Sequence, residues 1–251
     1  MIKTIDNHDI KFLENVESKS DVVLLCHGIT SSKEEGGFYN DFAEELNKKG
    51  LSTFRFDFRG HGESDIKSEL ITLPGMIADL YAVINFLFAK YDRVSIITAS
   101  FGSSILLLLM QEKKLSFNSA IMLNPVIDYG STFTSTISEW SKSFFPSNGI
   151  DNLLSVNNKI VIGENFVLNP LMAIEFYYYK PLNYRWECNT PAIIFHGEKD
   201  EIVSIEDSEK FVNNSLSKNL KLIGLKNSSH GLEEDSDEVI TTSCDFIKRY
   251  L

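Results

Sequence analysis

Ser100 stands in the run Thr98-Ala99-Ser100-Phe101-Gly102, directly after an apolar stretch and directly before a helical pattern. A serine at a sharp strand-to-helix turn has its hydroxyl pushed out above the sheet, and the crowding of such a turn demands small neighbours. The following helix would offer the positive end of its dipole to a developing negative charge. Ser-x-Gly triplets also occur at Ser147 and Ser229, but only Ser100 follows an apolar strand and opens a helix. A serine N-cap on a buried helix is the competing reading of the same residue.

A serine hydroxyl needs a base to take its proton. Of the five histidines, His230 lies in a loop, Lys226-Asn-Ser-Ser-His230-Gly, between the last strand and the last helix. There an imidazole can swing over the end of a sheet. His8 falls in a hairpin turn and is expected at the surface. His27, His61 and His196 each precede a glycine just after a strand and read as hydrogen-bonded residues that shape loops. The imidazole in turn needs a carboxylate to fix its tautomer and stabilise its cation. Asp200, in Phe195-His-Gly-Glu-Lys-Asp200-Glu-Ile-Val203, is the favoured acid; Asp128 is its competitor, and Glu198 and Glu201 read as exposed loop charges. The chain order Ser, Asp, His differs from both common protease orders. For the oxyanion of a tetrahedral intermediate, the backbone N–H of Ile29, in Cys26-His-Gly-Ile29-Thr30, and that of Phe101 are the expected donors. This chemistry requires no cofactor and no metal.

These residues must be positioned by alternating strands and helices. A hairpin is expected over 2–17 around Asn7-His8, and strands over 22–26, 52–56, 94–98, 120–123, 192–195 and 220–225. Phe38, Phe42 and Leu46 recur every fourth residue and predict a helix over 38–49, with Gly50 at its C-cap. Further helices follow from Pro74 through Phe88, over 102–113 and over 237–249. Strand-helix alternation predicts one α/β domain over 1–251, a mainly parallel twisted sheet with helices on both faces. The rhythm fails between 125 and 187, where Trp140, Phe144, Phe145, Phe166, Phe176, Tyr177, Tyr178, Tyr179 and Trp186 gather and a small hairpin around Glu164-Asn165 is expected. This insertion, between the sixth and seventh expected strands, reads as a lid with its own satellite apolar cluster, lining an apolar pocket.

Composition narrows the function. A net charge of −11 argues against a nucleic-acid partner and against adhesion to anionic membranes. Cys26, Cys188 and Cys244 share no C-x-x-C spacing, so neither a disulfide framework nor a zinc site is expected, and a reducing, cytoplasmic compartment is the simpler reading. The opening residues lack the apolar core of a secretion signal. The apolar run 94–110 is shorter than a membrane span of about 20 residues and is interrupted by Ser100, Gly102, Ser103 and Ser104, so no integral membrane segment is expected.

Five motifs in order resemble the α/β-hydrolase superfamily over essentially the whole chain: HGIT at 27–30 its oxyanion loop, the turn from Asp57 through Arg59, Gly60, Gly62 and Ser64 its D-x-R-G-x-G-x-S signature, TASFG its nucleophile elbow, HGEKDEIV its acid loop and SSHG its histidine loop. The pattern most resembles cinnamoyl/feruloyl esterases and monoacylglycerol-lipase-like hydrolases, which carry a lid at the corresponding place. The resemblance implies hydrolysis of carboxylic esters with an aromatic or acyl part. It gives Asp57 and Arg59 a loop-shaping role, and serine at the elbow disfavours the aspartate nucleophile of dehalogenases and epoxide hydrolases. Thr98 departs from the usual glycine and Ala99 from a common histidine; a non-glycine first position is also seen in the bacterial luminescence acyl-transferases, which are thioesterases. The expected partner is therefore a small acyl ester or thioester, with a homodimer left open. A ligand-binding protein on a hydrolase scaffold is the alternative of another class.

Overall fold

The structure is a computed structural model that describes residues 1–135, 138–145, 160–163, 165–186 and 189–251. Cys188, Ser147 and Glu164 lie outside the described residues. Seven strands form the main sheet: β1 (Lys11–Asn15), β2 (Asp21–Cys26), β3 (Ser52–Asp57), β4 (Arg93–Ala99), β5 (Ala120–Leu123), β8 (Ala192–Gly197) and β9 (Leu220–Leu225). Their order is β1-β3-β2-β4-β5-β8-β9. β1 runs antiparallel to β3, and every other pairing is parallel. The sheet is thus mainly parallel, as the alternation predicts. The central strands β2, β4, β5 and β8 are buried because both faces are covered.

In β2, Val22, Leu24 and Cys26 point into one apolar layer and Val23 and Leu25 into the other. The first layer is completed by α2 (Leu73–Lys90), α3 (Phe101–Glu112) and α6 (Ile205–Asn213), the second by α1 (Phe38–Lys48) and α7 (Ser236–Tyr250). α6 has no counterpart among the expected helices. By length and composition α2 is apolar enough to cross a membrane; here Met76, Leu80, Val83, Ile84 and Leu87 are buried in the sheet's core.

Two expectations are corrected at the N-terminus. The 2–17 hairpin contributes one strand, β1, because its first arm makes only the single bridge Lys3–Asp9. The insertion therefore lies between the fifth and sixth strands of this sheet, although it is bounded by β5 and β8 as expected. His8 is buried and not at the surface: the turn folds back so that Thr4 Oγ1 accepts from the His8 N–H at 3.0 Å. Asp6 in this turn is paired with Arg59 at 2.7 Å, and Arg59 is also paired with the fully buried Asp79 at 2.8 Å. The D-x-R-G turn is thereby pinned between the N-terminal arm and α2.

Within the insertion, the small hairpin forms as β6 (Ile160–Ile162) against β7 (Phe166–Leu168). Two helices flank it, α4 (Glu139–Phe144) and α5 (Pro170–Tyr178). The aromatic residues do not make a separate cluster. Phe133 and Phe176 stack at 4.4 Å, and both meet Phe101 of α3 at 5.9 Å, so the insertion shares the main core. Glu175 of α5 ties it to the sheet domain by accepting from the Leu73 N–H at 2.6 Å, at the start of α2.

Candidate active site

The turn from β4 to α3 places Ser100 at φ 46°, ψ −114°, a conformation rarely adopted by a residue with a side chain. The surroundings enforce it. Ser100 N–H donates to Leu123 O at 2.8 Å, and Ser100 O accepts from Val126 N–H at 3.1 Å, so the elbow is clamped to the end of β5. Gly102 is required by proximity: a Cβ there would lie 2.6 Å from His27 O and 2.7 Å from Cys26 O. Thr98, bulkier than the glycine usual at this place, is accommodated because its hydroxyl is paired with Ser103 Oγ at 2.8 Å beneath the elbow.

Three distant side chains converge at this point. Ser100 Oγ lies 3.0 Å from His230 Nε2, and His230 Nδ1 lies 2.7 Å from Asp200 Oδ2. An ionised Asp200 only accepts, so Nδ1 carries the proton and Nε2 is left to accept from the serine hydroxyl. The other oxygen of Asp200 accepts from the N–H groups of Ile202 and Val203, both at 2.9 Å. Burial pushes the Asp200 carboxyl upward, but hydrogen bonds from His196 and His230 outweigh it and hold the group well below the usual carboxylate range. The competitor Asp128 is occupied locally, accepting from Gly130 N–H at 2.7 Å. Glu198 and Glu201 are exposed, as expected.

Three contributors are not legible as functional in the sequence. His196, read there as loop-shaping, is fully buried, with Nε2 at 3.1 Å from Val203 O and 3.5 Å from Asp200 Oδ2. Both of those atoms accept, so Nε2 is protonated and Nδ1, 2.8 Å from Ser208 Oγ, accepts from that hydroxyl. Asp200 thus faces two imidazoles. Asn124, at φ 41°, accepts from Gly197 N–H at 2.8 Å and donates to Ser229 O at 3.2 Å and His230 O at 2.5 Å. One side chain fastens the ends of β5 and β8 to the histidine loop. Glu35 reaches back to accept from Gly28 N–H at 2.6 Å, beside the oxyanion loop. Burial raises its carboxyl above the ordinary range, opposed by bonds from Gly28 and Ser31.

The N–H groups of Ile29 and Phe101 make no hydrogen bond among the described residues, and Ile29 lines the cavity above Ser100. His27 holds this loop, its Nε2 accepting from Phe58 N–H at 3.0 Å. Lys33 and Asp57 hold it too, through an ion pair of 2.9 Å, and Asp57 also accepts from Glu63 N–H. The cavity measures about 750 Å³. Val126, Phe133, Trp140, Ile162 and Ile202 line one part of it, together with Ser100 and His230. Among the described residues no group of His, Cys, Asp and Glu is arranged to hold a metal ion.

Sheet order, elbow and convergent side chains together define an α/β-hydrolase. The chain belongs to the serine aminopeptidase, S33 family, whose profile matches residues 17–165, and is thus a member of a serine hydrolase family. Its structure is similar to that of Est1E from Butyrivibrio proteoclasticus with ferulic acid bound (TM-score 0.82, 19% identity, 100% of this chain and 98% of that one). It is also similar to a monoacylglycerol lipase from Paleococcus ferrophilus (TM-score 0.79, 14% identity, 97% and 100%). A third similar structure is an esterase from Pyrococcus furiosus (TM-score 0.72, 21% identity, 99% and 89%). At these identities the likeness is one of fold. No curated protein sequence matches the chain.

Proposed function

We propose that the protein hydrolyses carboxylic esters with an acyl or aromatic acid part through an acyl-enzyme formed on Ser100. The observation that carries this reading is the continuous contact from Ser100 Oγ through His230 to Asp200, at 3.0 and 2.7 Å, inside a cavity with an apolar wall. Ser100 Oγ bonds to the acyl carbon as its proton passes to His230 Nε2. The carbonyl electrons move to the oxygen, where the N–H groups of Ile29 and Phe101 stabilise the charge. Collapse breaks the bond to the alcohol, which leaves with the proton from Nε2. Water then attacks the acyl-enzyme, gives a proton to Nε2 and releases the acid, and Ser100 recovers its proton. Asp200 stays ionised and stabilises the imidazolium in both halves.

Neighbours of the same fold include an esterase, a lipase and a ferulic-acid complex by name, which supports an acyl or aromatic acid part. The segment 125–187 then acts as the lid of the acyl pocket. The test compares wild type with Ser100→Ala on p-nitrophenyl butyrate, with fluorophosphonate labelling alongside. Ser100→Ala is expected to lose at least about a thousandfold in kcat and to resist labelling. Equal rates in the two proteins would rule out Ser100 as the nucleophile, and an unlabelled, inactive wild type would favour a non-catalytic binder.

A further inference from the structure

Besides the apolar residues, the cavity is lined by Glu35, Gly36, Gly37, Asn40, Asp41 and Glu233. Among the described residues no lysine or arginine lines the cavity. Glu35 is the innermost of the three acids. Its backbone takes φ 45°, followed by Gly36 at 64° and Gly37 at 104°, so three successive residues hold left-handed backbone. Such a conformation is costly for a residue with a side chain and persists where the surroundings over-determine it. Its effect here is to turn the carboxyl inward. A Cβ built on Gly28 would lie 3.2 Å from Ser100 Cβ and 3.7 Å from Glu35 Oε1, so the nucleophile and this carboxyl flank the same bare glycine. The Gly28 N–H, at 2.6 Å, and the Ser31 hydroxyl both donate to it and partly offset the burial that raises its carboxyl.

We propose that Glu35 makes the site charge-selective: an apolar acyl group lies against the Phe133 and Trp140 wall, and the leaving group, in the acidic half, is neutral or cationic and never anionic. This rests on the esterase reading above. A negative charge on the leaving group is repelled by Glu35, and at an effective dielectric near 20 two like charges within roughly 10 Å repel enough for about tenfold or more in kcat/KM. Glu35 is a specificity residue: it neither takes the serine proton nor binds the oxyanion.

The test uses three butyrate esters of similar size, with choline, 3,3-dimethylbutanol and 3-hydroxypropanesulfonate as alcohols, at low ionic strength. Wild type is expected to favour the cationic and neutral esters over the anionic one by about tenfold or more. Glu35→Gln keeps an acceptor for Gly28 while removing the charge, and is expected to narrow the cation-to-anion ratio by about tenfold. Because the ratio is taken within one protein, a general loss of rate cancels. Asp41→Asn, at the cavity mouth, provides a second variant should Glu35→Gln fold poorly, with a smaller shift of the same sign. An unchanged ratio in folded Glu35→Gln, or a wild type indifferent to leaving-group charge, overturns the proposal. No turnover of the neutral ester would instead refute the esterase reading itself.

Discussion

His196 offers the sharpest check on how the acid is held. Replacing it with Leu removes the donor shared by Val203 O and Asp200 Oδ2 and the acceptor for Ser208 Oγ. A buried polar group left unpaired costs about 1–3 kcal/mol, so two of them, the Val203 carbonyl and the Ser208 hydroxyl, cost about 3 kcal/mol together. For a chain of this size about 1 kcal/mol corresponds to about 2–4 °C in Tm, and a drop of about 6–12 °C is expected. The effect on turnover is separate. The 3.5 Å contact to Asp200 is at the outer limit of a hydrogen bond, so its loss belongs at the low end for bonds to charged groups, about 1.5 kcal/mol or about tenfold in kcat. His196→Gln returns a donor near Nε2 but not the acceptor for Ser208, and should recover much of kcat while recovering less Tm. The assay is kcat and KM on p-nitrophenyl butyrate, with active sites counted by fluorophosphonate and Tm measured in parallel. A His196→Leu protein with kcat per labelled site within about twofold of wild type would refute the idea that His196 positions Asp200.

Acid sensitivity follows from two other histidines. Burial lowers His27 from the ordinary 6.5 to about 4, and burial together with the neighbouring His27 lowers His61 to about 3. Below pH 6.5 the unfolded chain takes up protons that the native protein refuses, so stability falls with pH, by about 1.4 kcal/mol per unit for each histidine. Chemical denaturation is expected to show a loss of about 3 kcal/mol between pH 6.5 and 5, with His61→Gln abolishing about half of it; a pH-independent midpoint would contradict it. Gly102→Ala should destabilise by about 1–3 kcal/mol and reduce turnover as well, because the new methyl meets two backbone carbonyls of the 26–27 segment and moves α3, whose first residue follows the nucleophile. A Gly102→Ala protein with wild-type Tm and kcat would show that the helix is not seated as described.

What could be read in advance divides by the range of the forces involved. Strands β2, β4, β5 and β8 were legible because burial on both faces leaves apolar runs, and the edge strand β9 because Leu220, Leu222, Ile223 and Leu225 still cluster in sequence. The convergence of Ser100, Asp200 and His230 was legible because each follows a strand, and of the three Ser-x-Gly triplets only that at Ser100 both follows an apolar strand and opens a helix. His8 was misplaced because a turn's sequence says nothing of what folds over it. α6 was missed because only Asp207, Ser208 and Phe211 of its nine residues are buried, too few for an apolar stripe. Glu35 was hidden in a charged run; the glycines that follow it mark a tight turn, but nothing local says that the acid points inward. Asn124 carried a faint signal, since asparagine tolerates left-handed backbone better than most residues and the following Pro125 limits what the chain can do there. Its three partners lie more than seventy positions away and no window of sequence contains them.

Asn124 is the last residue before the insertion begins, and it already fastens β8 and the histidine loop to the end of β5. The contact from Ser100 through His230 to Asp200 is therefore held mainly by parts that precede and follow the inserted stretch, with Val126 at its very start fixing Ser100 O. As the proposed lid, the stretch beyond Val126 can be exchanged, lengthened or recast while the residues beneath keep their register. The acyl wall is thus written largely apart from the fastening of the histidine loop, which makes this scaffold suited to transplanting acyl pockets from one hydrolase to another, while the proposed charge filter at Glu35 stays with the scaffold.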